Sequence, residues 1–247
     1  MNKKLSVLIV DDDINLGDSL ADILETTGHD IKFVSSGNDA LSTIKKSEYD
    51  VILMDIRIPG MNGVETLIHI KEQSPLTSVV MITAFAEDEL VSQAREEGAL
   101  DILAKPLDID KIMGFLKKQE LLKTIFIVDD DYAFCNSLKD AIEINNYEVT
   151  FVHSAQEVID KIENQMYGIV LLDMKLNGKN GLEVAEAIKK NGYKCAIVLM
   201  SAYKKEFQPL LDNVDKKIDF IEKPFEIDDI LKLLCKVSNK RLKKVLS

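Results

Sequence analysis

The chain has no tryptophan and only three cysteines, three histidines and five prolines among its 247 residues. Cys135, Cys195 and Cys235 are too few and too scattered for a disulfide framework or a thiolate metal cluster. Each sits in an apolar stretch, so all three are expected to be reduced packing residues. Long apolar runs are lacking too, since none approaches the roughly 18 to 20 residues that cross a bilayer. The opening Met1-Asn2-Lys3-Lys4-Leu5-Ser6-Val7 moves into a strand-like run with no signal-cleavage pattern. A soluble, cytoplasmic protein without membrane association is the expectation. Positive charge is in deficit, with 31 Lys and Arg against 42 Asp and Glu and a net charge of -11. Sequence-independent grip on a nucleic-acid backbone needs clustered cations, so no direct nucleic-acid binding is expected.

What the chain does have is a second copy of itself. Ile-Val-Asp-Asp-Asp stands at Ile9 to Asp13 and again at Ile127 to Asp131, 118 residues later. The same displacement carries Asp55 onto Asp173, Gly63 onto Gly181, Thr83 onto Ser201, Lys105 onto Lys223 and Pro106 onto Pro224. Leu16, Leu20, Ile23 and Leu24 become Phe134, Leu138, Ala141 and Ile142 at helical spacing, so the core pattern is duplicated as well. Two domains follow, 1–122 and 123–247, the second with a C-terminal helical extension.

Within the first copy, strand-length apolar runs alternate with amphipathic patterns: Val7 to Val10, Ile31 to Val34, Val51 to Met54, Val79 to Ile82 and Ile102 to Ala104. Nearly continuous apolar strands belong in a parallel sheet covered on both faces, and alternating βα units build one. Each copy is expected to be a doubly wound α/β domain. The last helix of copy one, about Ile109 to Leu122, runs almost directly into the strand at Ile125 without a Gly-, Pro- or Ser-rich linker. The domains are therefore expected to be held close, not swung on a tether.

In open α/β sheets the ligand crevice lies at the carboxyl ends of the strands. Asp11 and Asp12 follow the first strand, Asp55 the third, Thr83 ends the fourth and Lys105 follows the fifth. Carboxylates converging on one crevice repel unless a hard divalent cation joins them, and Mg²⁺ suits a few carboxylates while keeping waters for an incoming phosphate. Asp55 is then a nucleophile toward phosphorus, Lys105 and the cation neutralise the transferred group, and Thr83 supplies a hydrogen bond to it.

In this order and spacing, repeated, the motifs resemble the response-regulator receiver family over nearly the whole chain. The resemblance implies two flavodoxin-like folds with strand order 2-1-3-4-5 and one Mg²⁺ per domain. It implies Asp55 and Asp173 as phosphoacceptors, with Thr83 and Lys105, and Ser201 and Lys223, sensing the phosphoryl group. The metal would be held by Asp11, Asp12, Asp55 and the main-chain carbonyl of Arg57 in copy one. In copy two the equivalents are Asp129, Asp130, Asp173 and the carbonyl of Lys175. The bonds Lys105-Pro106 and Lys223-Pro224 resemble the family's cis peptide. Expected partners are a sensor histidine kinase or histidine phosphotransfer protein and a downstream protein target. Pairing of domains within one chain or as a homodimer is left open. Such a protein is a phosphoacceptor and not a turnover enzyme, limited to self-catalysed transfer and slow autodephosphorylation.

The copies depart from the family pattern differently. Three positions before the lysine, where the family carries an aromatic residue, copy two has Phe220 and copy one Ile102, so copy one either transmits its signal differently or merely repacks the position. Pro59 of copy one is replaced by Asn177, freeing the loop after Asp173. Arg57 and Lys175, with Phe85 and Tyr203, stand where they could screen an acyl phosphate from water. His69 to Leu76 superficially resembles a phosphohistidine box, but its spacing is wrong and no ATP-binding domain follows; His29 and His153 are taken as ordinary surface or edge residues. The tail from Lys236 to Lys244 is read as an extension of the final helix, either with a solvated basic face or as a docking helix. No helix-turn-helix, cyclase or kinase signature is present, and no room for an output domain is expected. Two other readings remain: a scaffold whose second copy is not phosphorylated, and a haloacid-dehalogenase-type phosphohydrolase using Asp11-Asp12-Asp13, which leaves Asp55 without a purpose.

Overall fold

Aliphatic runs with β-branched residues become central strands here because each is covered by helices on both faces. In the computed structural model, which describes residues 4–85, 89–177, 179–202 and 218–246, the first copy runs β1 (Ser6–Val10), α1 (Ile14–Glu25), β2 (Asp30–Val34), α2 (Gly37–Ile44), β3 (Val51–Asp55), α3 (Gly63–Gln73), β4 (Ser78–Thr83), α4 (Glu89–Glu96), β5 (Asp101–Ala104) and α5 (Ile109–Leu122). All pairings are parallel, in the order β2-β1-β3-β4-β5. Every residue of β3 is buried, as expected of a strand between two helical layers.

The second copy repeats the plan with β6 (Thr124–Val128), α6 (Tyr132–Glu143), β7 (Glu148–Val152), α7 (Ala155–Asn164) and β8 (Ile169–Asp173). It continues with β9 (Lys175–Leu176), β10 (Lys179–Asn180), α8 (Gly181–Lys190), β11 (Ala196–Ser201), β12 (Asp219–Glu222) and α9 (Ile227–Leu246). Its large sheet is again five-stranded and parallel, ordered β7-β6-β8-β11-β12. Both copies thus have the doubly wound 2-1-3-4-5 architecture expected from the sequence. The register repeats as well: Asp55 is opposite Ile82, and Asp173 is opposite Met200. The short antiparallel hairpin of β9 and β10 was not anticipated.

Two compact units make up the chain. One contains Gln119–Ser238; the other contains Lys4–Lys118 together with the residues from Asn239 onward. The basic tail after Leu234 is helical, as expected, and its apolar residues Val237 and Leu242 are buried. No described helix is long and apolar enough to cross a membrane.

Helical spacing was too generous to α1. Leu20 and Leu24 are buried, but Ile23 is 40% exposed, because one apolar stripe suffices against a flat sheet. None of the three cysteines forms a disulfide, and burial pushes the Cys135 thiol up to about 12, as suits a packing residue. His29 corrects the sequence expectation: it is only 7% exposed, and its Nδ1 accepts the Leu5 N–H at 3.4 Å. Burial lowers its pKa, outweighing the opposing pull of Asp50 and Asp30. A lowered histidine pKa stabilises the fold above the unfolded value near 6.5, and that contribution is lost as pH falls through the folded value. The urea midpoint is therefore expected to fall between pH 7 and pH 5, with a shallower decline in His29→Gln; identical slopes in the two proteins would show that His29 does not contribute.

Candidate functional site

The three aspartates after β1 divide their work. Asp11 is 2% exposed and accepts the Asp13 N–H at 2.9 Å. Asp12 is exposed. Asp13 caps α1, accepting the Leu16 N–H at 3.1 Å. The second copy repeats this: Asp129 accepts from Asp131 at 3.0 Å, and Asp131 caps α6 through Phe134 N–H at 2.9 Å. With its carboxylate occupied by its own helix, Asp13 is a poor second acid for an Asp-x-Asp phosphohydrolase.

Asp55 ends β3 with 6% exposure and accepts the Arg57 N–H at 2.8 Å. Asp173 does the same with Lys175 N–H at 2.7 Å. Behind each, the chain returns so closely that only glycine fits. A Cβ on Gly63 would sit 2.1 Å from the Asp55 carbonyl oxygen, and one on Gly181 would sit 2.2 Å from that of Asp173. Asn62 and Asn180 cap the helices that begin at these glycines.

Lysine reaches across the sheet edge to join the acids. Lys105 Nζ donates to Asp11 Oδ2 at 2.8 Å and also to Asp55 Oδ2. Lys223 Nζ donates to Asp173 Oδ1 at 2.7 Å and also to Asp129 Oδ2. Burial works against each ammonium, but the two carboxylates outweigh it and raise both lysine pKa values. For Asp129, burial prevails and pushes the carboxyl up. Both lysine backbones are anchored to β4 or β11, by Lys105 N–H to Thr83 O at 2.7 Å and Lys223 N–H to Ser201 O at 2.8 Å. The Lys105-Pro106 and Lys223-Pro224 bonds are cis.

Thr83 is 1% exposed, and its Oγ1 accepts the Phe85 N–H at 3.0 Å while donating to Phe85 O at 3.3 Å. Ser201 is 2% exposed at the matching strand end. The Arg57 guanidinium lies 5.0 Å from the ring centroid of Phe85, a residue that is 58% exposed. Tyr203, its counterpart in copy two, lies outside the described residues.

One carboxylate oxygen from each of Asp11, Asp12 and Asp55 lies within 4.8 Å of the others. That set of hard oxygen donors fits Mg²⁺. Among the described residues no other group of three acids gathers in this way. In copy two Asp129 and Asp173 meet on Lys223, while exposed Asp130 accepts the Asn177 N–H at 3.4 Å.

Some features were not read from the sequence. Phe134 lies 4.1 Å beneath Lys223 Nζ and makes an edge contact with Phe225, where copy one has Leu16 and Leu107. The paired aromatic replacements were the available signal. His153 is half-buried between Tyr132 and Phe151, with Nδ1 3.0 Å from Asp129 O, so it is not an ordinary edge residue. His69 is exposed on α3 beside Glu72, far from the role of a phosphohistidine. Ile102 and Phe220 are both partly buried against the cores of their own sheets.

The profile of the family described as the response regulator receiver domain matches residues 7–117 and 125–235. Sporulation initiation phosphotransferase F of Bacillus subtilis is 36% identical over 124 residues, covering 50% of this chain and 98% of that protein. Transcriptional regulatory protein ZraR of Salmonella typhimurium is 36% identical over 115 residues, 47% of this chain but only 26% of that longer protein. Among solved structures, the chemotaxis protein CheY4 of Vibrio cholerae matches at 27% identity and a TM-score of 0.44, over 47% of this chain and 98% of its own.

Removing one partner of a buried ion pair costs about 3–5 kcal/mol, but the Lys105 side chain is 23% exposed, so roughly 1–2 kcal/mol is expected here. In EDTA, Lys105→Met should lower urea stability by that amount, and millimolar Mg²⁺ should restore part of it. A variant as stable as wild type in EDTA would mean that the lysine does not hold the acids together.

Proposed function

Because the chain belongs to the response regulator receiver domain family in both of its halves, we propose that it is a phosphorelay signalling protein in which Asp55 and Asp173 each accept a phosphoryl group. The observation that carries this reading is the lysine bridge, Lys105 on Asp11 and Asp55, built again as Lys223 on Asp129 and Asp173. The donor is a phosphohistidine of a kinase or phosphotransfer protein, and the response passes to a protein target.

In the transfer, a carboxylate oxygen of Asp55 attacks phosphorus, an O–P bond forms, and the N–P bond breaks with its electron pair returning to the donor imidazole. Mg²⁺ held by Asp11, Asp12, Asp55 and the Arg57 carbonyl, and in copy two by Asp129, Asp130, Asp173 and the Lys175 carbonyl, would offset charge on the transferred group. Lys105 exchanges its bond to Asp55 for one to a phosphoryl oxygen. Thr83 leaves the Phe85 backbone and donates to another, which releases the segment after β4. Ser201 and Lys223 take these roles in copy two. Shifting a two-state domain from about 1:99 to 99:1 takes roughly 5.5 kcal/mol, whereas one charge-assisted hydrogen bond gives about 1.5–3. Lysine, hydroxyl and metal must therefore act together. The Arg57 guanidinium, two residues after Asp55 and stacked on Phe85, screens the acyl phosphate from water.

A second reading, in which copy two serves as a scaffold, is favoured by one observation: its acids are not gathered as those of copy one are. Intact mass after incubation with acetyl phosphate and Mg²⁺ separates the two. Two additions in wild type, one in Asp55→Asn, one in Asp173→Asn and none in the double variant are expected; a single addition abolished by Asp55→Asn alone would leave copy two a scaffold. Arg57→Ala should shorten the acyl-phosphate lifetime at Asp55 several-fold at matched Mg²⁺, and an unchanged lifetime would remove the screening role.

A further inference from the structure

The two copies offer one another as controls, and they differ where the chain passes the acidic edge after β3 and β8. In copy one this passage reads Ile58-Pro59-Gly60-Met61, with Gly60 at a φ of +81°. Proline followed by a positive-φ glycine is the pattern of a tight turn, and Pro59 brings no N–H to it. In copy two the passage is drawn into the β9–β10 hairpin, in which Leu176 pairs with Lys179 and Lys175 with Asn180. The sequence there reads Asn177-Gly178, a dipeptide that favours hairpins. Asn177, at Pro59's position, therefore presents a backbone N–H that copy one lacks, and Asp130 Oδ2 accepts it at 3.4 Å.

The acids answer accordingly. Asp12 gathers with Asp11 and Asp55 within 4.8 Å, whereas Asp130 does not gather with Asp129 and Asp173. Like charges leave a shared crevice when a donor elsewhere receives one of them, and the hairpin ladder holds that donor in place. A cation entering site two must first take Asp130 from the amide; one entering site one finds its three carboxylates assembled.

We propose that the Asn177 backbone amide holds Asp130 out of the metal site of the second receiver, so that site two fills at higher Mg²⁺ than site one and Asp55 is loaded before Asp173 when Mg²⁺ is limiting. This rests on the reading above that both acidic edges take Mg²⁺. The device is a backbone donor, so it depends on proline or not-proline at this position and not on the asparagine side chain.

The test is a MgCl₂ titration of the full ¹⁵N-labelled chain, read at the Asp13 and Asp131 amides, which donate to Asp11 and Asp129 and so report the two sites separately. Site two should bind about three- to tenfold more weakly, the range of one solvent-exposed hydrogen bond. Asn177→Pro should bring its Kd down toward that of site one, and Asn177→Ala, which keeps the N–H, should leave it at the wild-type value. Pro59→Asn should weaken site one by a similar factor, and this reciprocal change decides the matter if Asn177→Pro disturbs the fold. Equal affinities in wild type, or an Asn177→Ala effect as large as that of Asn177→Pro, would overturn the proposal. If neither amide responds to Mg²⁺, the metal reading itself fails, and this inference with it.

Discussion

Two buried carboxylates held by one ammonium ion set the terms for everything else at the sheet edge. Asp11 and Asp55 are each less than a tenth exposed and would repel each other without Lys105 between them. The bridge sits where the lysine backbone is fixed to the end of β4, with Lys105 N–H on Thr83 O, and beside a third aspartate that is assigned to a helix cap. A carboxylate caught by its own helix cannot add to the crowding.

Most of the architecture was legible because its signals are local and repeated. Apolar runs bounded by turn residues located all five strands of copy one to within a residue or two, and the 118-residue displacement transferred them to copy two. The site was legible because strand ends converge in a parallel sheet, so Asp11, Asp55 and Lys105 had to meet once their strands were placed. What escaped depends on details that a one-dimensional pattern does not carry. Ile23 follows helical spacing yet is 40% exposed, since the covered stripe of a helix is only about 100° wide and spacing alone does not say which residues lie at its margin. His29 looked like an edge residue because the backbone that covers it, at Leu5, is distant in sequence. The β9–β10 hairpin hid behind a one-residue change whose effect is to restore an N–H, not to alter a side chain.

Comparison within the chain separates what the fold demands from what each site has adjusted. The Asp55 and Asp173 carboxylates with their lysine bridges, the aspartate caps of α1 and α6 and the cis Lys-Pro bonds recur in both copies. The surroundings of the lysine are not. Lys223 lies over the Phe134 ring, which Phe225 meets edge-on, while Lys105 has leucines at the matching positions. A cation over an aromatic face gains attraction that a leucine does not offer, so the resting ion pairs of the two receivers differ in strength although their ligands are identical.

The glycines behind Asp55 and Asp173 bear on how such a duplication ages. Gly63 and Gly181 touch the main-chain carbonyls of Asp55 and Asp173, so the constraint on them comes from backbone packing and would survive replacement of either aspartate side chain. A receiver copy that lost its chemistry would keep this glycine while its acids and lysine drifted. In a duplicated chain, therefore, the glycine records descent and the acidic edge records use.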